Sequence, residues 1–137
     1  MRLFFDSSAF AKRYVSEQGS DAVLQWCDNA TEIGLAGIAI TEIISAFCRL
    51  QREGKITATQ YRQLKAKLFA DVEDVAICDT TPAVMRQAII SLEGNVLRGM
   101  DALHIGCAVV FAAEVFVSGD ERQCDAAAKA GLRVVKV

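Results

Sequence analysis

The 137-residue chain has a single proline, Pro82, and a single histidine, His104. With so little proline there is no Pro-rich linker, and no internal repeat or low-complexity segment stands out, so residues 1–137 read as one domain. One histidine supplies only half of the acid–base pair that a metal-free ribonuclease would tune near neutrality. No run of about 18 apolar residues occurs, so no transmembrane helix is expected. Asp6 interrupts the N-terminal apolar run too early for a secretory signal peptide. The five cysteines, Cys27, Cys48, Cys78, Cys107 and Cys124, are odd in number and form no C-x-x-C pair. Buried free thiols in a reducing cytoplasm account for them better than a disulfide framework or a zinc site. Neither G-x-x-x-x-G-K-[ST] nor G-x-G-x-x-G is present, so nucleotide binding of those types is not expected. A net charge of -2 gives no global attraction for nucleic acid, which leaves a local basic patch or a bound metal as the route to one.

What is present is a chain 53% hydrophobic, enough to build a core. Leu3 to Phe5 is a short apolar run suited to a strand buried on both faces, and Ser8 to Val15 follows as a short helix. Gly19 and Ser20 break and cap, and Asp21 to Asn29 continues as a second helix. Ile33 to Ile40 is β-branched enough for a second strand, with Gly34 and Gly37 weakening it. Thr41 is then the expected N-cap, with Glu42 in the first helical turn and Ile43, Ile44, Phe47 and Leu50 on the buried face.

Gly54 closes that helix, and Thr57-Ala58-Thr59-Gln60 reads as a capping box opening another over Ala58 to Val72, so the pair should form an antiparallel hairpin. Val75 to Cys78 is a third strand, and Thr81-Pro82 opens a helix reaching Glu93 or Gly94. Asp101 to Ala113 is expected to be helical, Val115 to Ser118 a strand, Glu121 to Ala130 a helix and Arg133 to Lys136 a last strand. Strands alternating with helices argue for a three-layer α/β/α sandwich around a parallel sheet.

In such a sheet the carboxyl ends of all strands share one edge, where ligands bind. Asp6, Glu42 and Asp120 each follow an expected strand, and Asp101 follows a turn that could return to the same edge. Two carboxylates about 4 Å apart repel by on the order of 4 kcal/mol at an effective dielectric near 20. A hard divalent cation bound by oxygen ligands relieves that repulsion. One or two such ions can activate water and orient a phosphodiester. Ser7, Ser8 and Ser118 stand beside the acids as hydroxyls able to orient carboxylates or metal-bound water. Each acid also has an ordinary explanation: Asp6 and Asp120 as N-caps, Glu42 and Asp101 as first-turn residues favoured by the helix dipole. That account needs four separate caps where a shared site needs one cluster. His104, one turn after Asp101, fits a packed or hydrogen-bonded role better than a ligand or general base.

Arg49, Arg52, Lys55, Arg62, Lys65 and Lys67 crowd the helical hairpin with Glu53 as the only acid between positions 49 and 67. Such a patch can hold a phosphate backbone, although a solvated helix face explains it equally well. Arg13, near Asp6, and Arg98, near Asp101, are further candidates for phosphate contacts.

The series Phe5-Asp6-Ser7-Ser8-Ala9, Thr41-Glu42-Ile43, Asp101-Ala102-Leu103-His104 and Phe116-Val117-Ser118-Gly119-Asp120 resembles the PIN-domain family, in particular the VapC-like ribonuclease toxins of type II toxin–antitoxin pairs. The resemblance spans essentially the whole chain. It implies a five-stranded parallel sheet of order 3-2-1-4-5 and magnesium or manganese held by the acids matching Asp6, Glu42, Asp101 and Asp120. It also implies endonucleolytic cleavage of RNA, homodimerisation and a cognate antitoxin that enters the active-site groove. Some members carry a further acid two positions beyond the one matching Asp120; here that position is Arg122, which leaves one ion or two open. Three other readings of the same residues stand beside this one. They are a nuclease acting on structured DNA, a phosphoacceptor or phosphatase with Asp6 as nucleophile, and a catalytically silent binding module. Ser8, where a second aspartate would be wanted, counts against the phosphatase, and the presence of all four acids counts against the silent module.

Overall fold

The computed structural model describes residues 1–137. Five strands form one sheet: β1 (Arg2–Phe5), β2 (Glu32–Ala36), β3 (Ala76–Cys78), β4 (Val115–Ser118) and β5 (Arg133–Lys136). Their order is β3-β2-β1-β4-β5, and every pairing is parallel. The first strand to be made is therefore the central one. Leu3 pairs with both Ile33 and Val115, so β1 is covered on each edge. Its side chains alternate between two cores. Leu3 and Phe5 face one core together with Leu35, Val115 and Val117, while Phe4 faces the other with Phe116.

Seven helices cover the two faces: α1 (Ser7–Ala11), α2 (Ser20–Asn29), α3 (Gly37–Arg52), α4 (Ala58–Asp71), α5 (Pro82–Gly94), α6 (Gly99–Phe111) and α7 (Glu121–Lys129). The Leu3/Phe5 face is closed by Phe10 of α1, Val23 of α2, Ala39, Ile43 and Phe47 of α3 and Leu68 of α4. The Phe4/Phe116 face is closed by Val84 of α5, Ile105 and Ala108 of α6, and Ala126 and Ala127 of α7. Helices α5 and α6 approach closely because position 106 is glycine: a Cβ there would lie 2.5 Å from the Val84 carbonyl oxygen. No helix is long and apolar enough to cross a membrane.

Several local signals act as their chemistry requires. Thr57 accepts from the Gln60 amide at 3.1 Å and Gln60 Oε1 accepts from the Thr57 amide at 2.8 Å, completing the capping box of α4. Thr81 caps α5 with Pro82 at its first position. Gly54, at φ 72°, follows the end of α3 in the left-handed conformation that favours glycine.

One expectation is overturned. The stretch Ile38 to Ile40 is helix, not strand, and α3 starts at Gly37 with Ala36 in the cap position. The reason is packing: Ala39, Ile43 and Phe47 are spaced four apart and all are buried, so the run reads at helical period once the core is formed. Thr41 is accordingly not an N-cap, and Glu42 lies in the second turn, beyond the strong part of the helix dipole. Smaller shifts follow at other ends. Helix α1 stops at Ala11 instead of Val15, and α6 spans Gly99–Phe111 instead of Asp101 to Ala113.

Candidate active site

Asp6 leaves β1 at its carboxyl end, and its backbone N–H bonds to the Val117 carbonyl of β4 at 3.1 Å. The residue is 1% exposed. Its carboxylate caps α1, accepting from the Ala9 amide at 2.8 Å, and it accepts from Ser8 Oγ at 2.9 Å and from Ser118 Oγ at 2.6 Å. Burial pushes the Asp6 carboxyl upward, and the hydrogen bonds from Ser118, Ala9 and Ser8 oppose that shift. A short side chain between two strand ends is thus held on every side before any ligand arrives.

The β4 end is tied into the same network. Ser118 Oγ accepts from the Asp120 amide at 3.0 Å while giving its proton to Asp6. Ser8 Oγ accepts from the Gly119 amide at 3.2 Å. Asp120 caps α7 through the Gln123 amide at 3.2 Å. So the ordinary capping role is real for both Asp6 and Asp120, and it coexists with their meeting at one edge. Gln123 went unnoticed in the sequence. It is 2% exposed, and its Nε2 donates to the Asp101 carbonyl at 3.0 Å, fastening α7 to the first turn of α6. The available signal was a polar residue on the core-facing side of α7, among Cys124, Ala126 and Ala127.

Glu42 and Asp101 arrive from helices. Asp101 is the third residue of α6, half-buried, with no hydrogen bond to its carboxylate. Burial raises its carboxyl, and the neighbouring charges of Asp120 and then Glu42 raise it further, against His104 and Arg98. Glu42 accepts from His104 Nε2 at 2.7 Å. That hydrogen bond is the main reason its carboxyl lies below the usual range, against burial and with help from the Ser7 hydroxyl. His104 therefore belongs to the site region; it is 1% exposed, and its Nδ1 is buried without a partner. Leaving such a nitrogen unpaired costs about 1–3 kcal/mol.

Two clefts flank Asp101. One, of about 590 Å³, is lined by Arg98, Asp101, Asp120 and Arg122 with Val96, Leu97 and Glu121. The other, of about 620 Å³, runs from Glu42 and Asp101 over Met85, Ile89 and Met100. No three carboxylate, imidazole or thiol groups close around one point as a ready-made cage. In kind, the donors nonetheless suit a hard cation: they are carboxylate oxygens, and Asp101 is raised by the negative charge of two others.

The basic candidates divide. Arg49 and Arg52 are exposed in the last turn of α3, and Arg49 shares a small hollow with Ser8. Arg98 is exposed at the mouth of the cleft. Arg13 is turned away, its Nε 3.2 Å from Asp71, whose carboxylate also accepts from Tyr14 at 2.8 Å. Arg13 thereby ties the turn after α1 to the end of α4.

The chain belongs to the PIN-domain family, whose model matches residues 3–129. Among solved structures it is similar to the sarcin-ricin loop cleaving toxin VapC20 of Mycobacterium tuberculosis, at 14% identity and a TM-score of 0.69 over 98% of this chain and 99% of that one. It is likewise similar to FitAcB from Neisseria gonorrhoeae, at 12% identity and a TM-score of 0.73 over 98% and 96% of the two chains. A third similar structure is VapBC2 from Rickettsia felis bound to a DNA fragment from its promoter, at 14% identity and a TM-score of 0.67 over 100% and 99%. No curated protein matches the chain significantly in sequence.

Proposed function

We propose that residues 1–137 form a metal-dependent endoribonuclease domain, the toxin of a toxin–antitoxin pair acting in the cytoplasm. The observation that carries this reading is that Asp101 lines one cleft with Asp120 and a second with Glu42, in a PIN fold whose central strand ends at the buried Asp6. The naming of VapC20 as a sarcin-ricin loop cleaving toxin supports RNA as the substrate class, and the toxin–antitoxin complexes among similar structures support an antitoxin partner. Homodimerisation is part of the same reading and rests on the family resemblance.

In this reading Asp6, Glu42, Asp101 and Asp120 hold magnesium or manganese, as one ion or two. When bound, the ion supplies a nucleophilic water at neutral pH and neutralises charge on the scissile phosphate. Ser8 and Ser118 keep the Asp6 oxygens directed, Ser7 does the same for Glu42, and Arg49, Arg52 and Arg98 hold the RNA backbone on either side. A single-turnover assay with manganese, on an RNA and a DNA of matched sequence, tests it. Asp6→Asn keeps the side-chain shape and removes its charge, and it should cut RNA at least about a hundredfold more slowly at equal folded fraction. Near wild-type cutting by Asp6→Asn sinks the four-acid mechanism, and faster cutting of the DNA sinks the substrate assignment.

A further inference from the structure

We propose that His104 is a positioning residue for Glu42: its Nε2–H tethers the Glu42 carboxylate among the other acids of the site. The role rests on the metal-site reading above. Along the buried stretch of α6, Ala102, Ile105, Gly106, Cys107 and Ala108 are small or apolar, and His104 is the polar exception. Packing alone does not account for an imidazole there, because its Nδ1 finds no partner while Nε2 makes a 2.7 Å contact with Glu42 Oε1. An ionised carboxylate can only accept in this pair, so Nε2 donates, and Nδ1 is left buried without a partner.

Glu42 needs such a tether more than Asp6 or Asp120 does. It stands in the second turn of α3, its side chain is 33% exposed, and a glutamate has more rotatable bonds to order than an aspartate. Asp6 and Asp120 are fixed by capping their own helices, whereas Glu42 caps nothing. The contact spans 62 positions of sequence and joins α3 to α6, the two helices that bring Glu42 and Asp101 to the edge.

The test is manganese binding by the full chain, measured by calorimetry for wild type, His104→Gln and His104→Leu. Leucine fills the space without a donor, whereas glutamine keeps an N–H. His104→Leu should weaken manganese binding at least about tenfold, the lower end for loss of such an outer partner, with His104→Gln within about threefold of wild type. Equal affinity in wild type and His104→Leu overturns the positioning role, and so does equal weakening in both variants. Failure of wild type itself to bind manganese overturns the metal-site reading instead, and the role with it. Because leucine replaces a buried ring, a second readout leaves the ring in place. In metal-free protein the His104 Nε2 proton should give a slowly exchanging, downfield nuclear magnetic resonance signal that is lost or strongly shifted in Glu42→Ala. A signal unmoved by that substitution overturns the tether.

Discussion

Asp6 and Asp101 are both pushed upward from the ordinary carboxylate range, and for different reasons. Asp6 is taken out of water and then surrounded by donors: an amide from its own helix and two serine hydroxyls. Asp101 keeps partial contact with solvent, has no donor on its carboxylate and feels two other acids. The strand-end half of the site is thus built in advance by neutral hydrogen bonds, and in the helix-borne half Asp101 faces negative neighbours with no donor of its own. A cation would add little order to the first half and would relieve repulsion in the second. The same division separates the short aspartates that cap helices from the long glutamate that leans on His104.

The strongest way to break this comparison is at Ser118, which links Asp6 to Asp120. Ser118→Ala leaves a buried carboxylate oxygen short of one donor and the Asp120 amide without its acceptor, so it should destabilise the fold by about 1–3 kcal/mol. Denaturant unfolding of the metal-free protein measures this, and an unchanged midpoint would mean that the strand-end half is not pre-built.

A smaller effect of opposite sign is expected at Asp101. Asp101→Asn should raise metal-free stability near neutral pH and reduce the stabilisation by magnesium or manganese. That stabilisation should reach about 2.7 kcal/mol in wild type at a hundredfold excess over Kd. The pH dependence follows from the direction of the shift. A carboxyl whose folded pKa is raised keeps its proton longer folded than unfolded, so stability falls as pH rises from its ordinary value of 3.8 through the folded value. Asp101→Asn should remove part of that fall, and melting curves between pH 3.5 and about 7 check it. If the variant follows wild type at every pH and with either ion, the repulsion assigned to the helix-borne half is absent.

The least local effect concerns the basic hairpin. Replacing Arg49, Arg52, Lys65 and Lys67 with glutamine should leave stability nearly unchanged and flatten the salt dependence of RNA binding, by about 0.7 in log–log slope for each phosphate no longer neutralised. An unchanged slope returns these cations to the solvated surface. A loss of antitoxin binding alone assigns them to a protein partner.

The alternation of Leu3, Phe4 and Phe5, the Thr57 capping box and the Thr81-Pro82 start were legible because each is settled by neighbours within a few residues. The start of α3 was not. Gly37 to Ile40 is equally apolar as strand or helix, and only the placement of Ala39, Ile43 and Phe47 in the core decides between them. A strand reaching Ile40 would place Glu42 in a first turn favoured by the helix dipole, whereas α3 from Gly37 places it in the second. Gln123 passed unnoticed because a single glutamine in a short amphipathic helix does not announce which backbone carbonyl it will reach.

The sequence by itself determined the alternation of strands and helices, the residue types at the carboxyl ends of β1 and β4, and the caps that fix Asp6 and Asp120 to their own helices. These are local matters of periodicity and of side chains satisfying nearby amides. Only the tertiary structure decided that Arg13 is tied to Asp71, that Gln123 fastens Asp101, and that His104 meets Glu42. Those pairs join residues 22 to 62 positions apart, and the packing of helices on the sheet, not any local preference, brings them within hydrogen-bond or ion-pair distance.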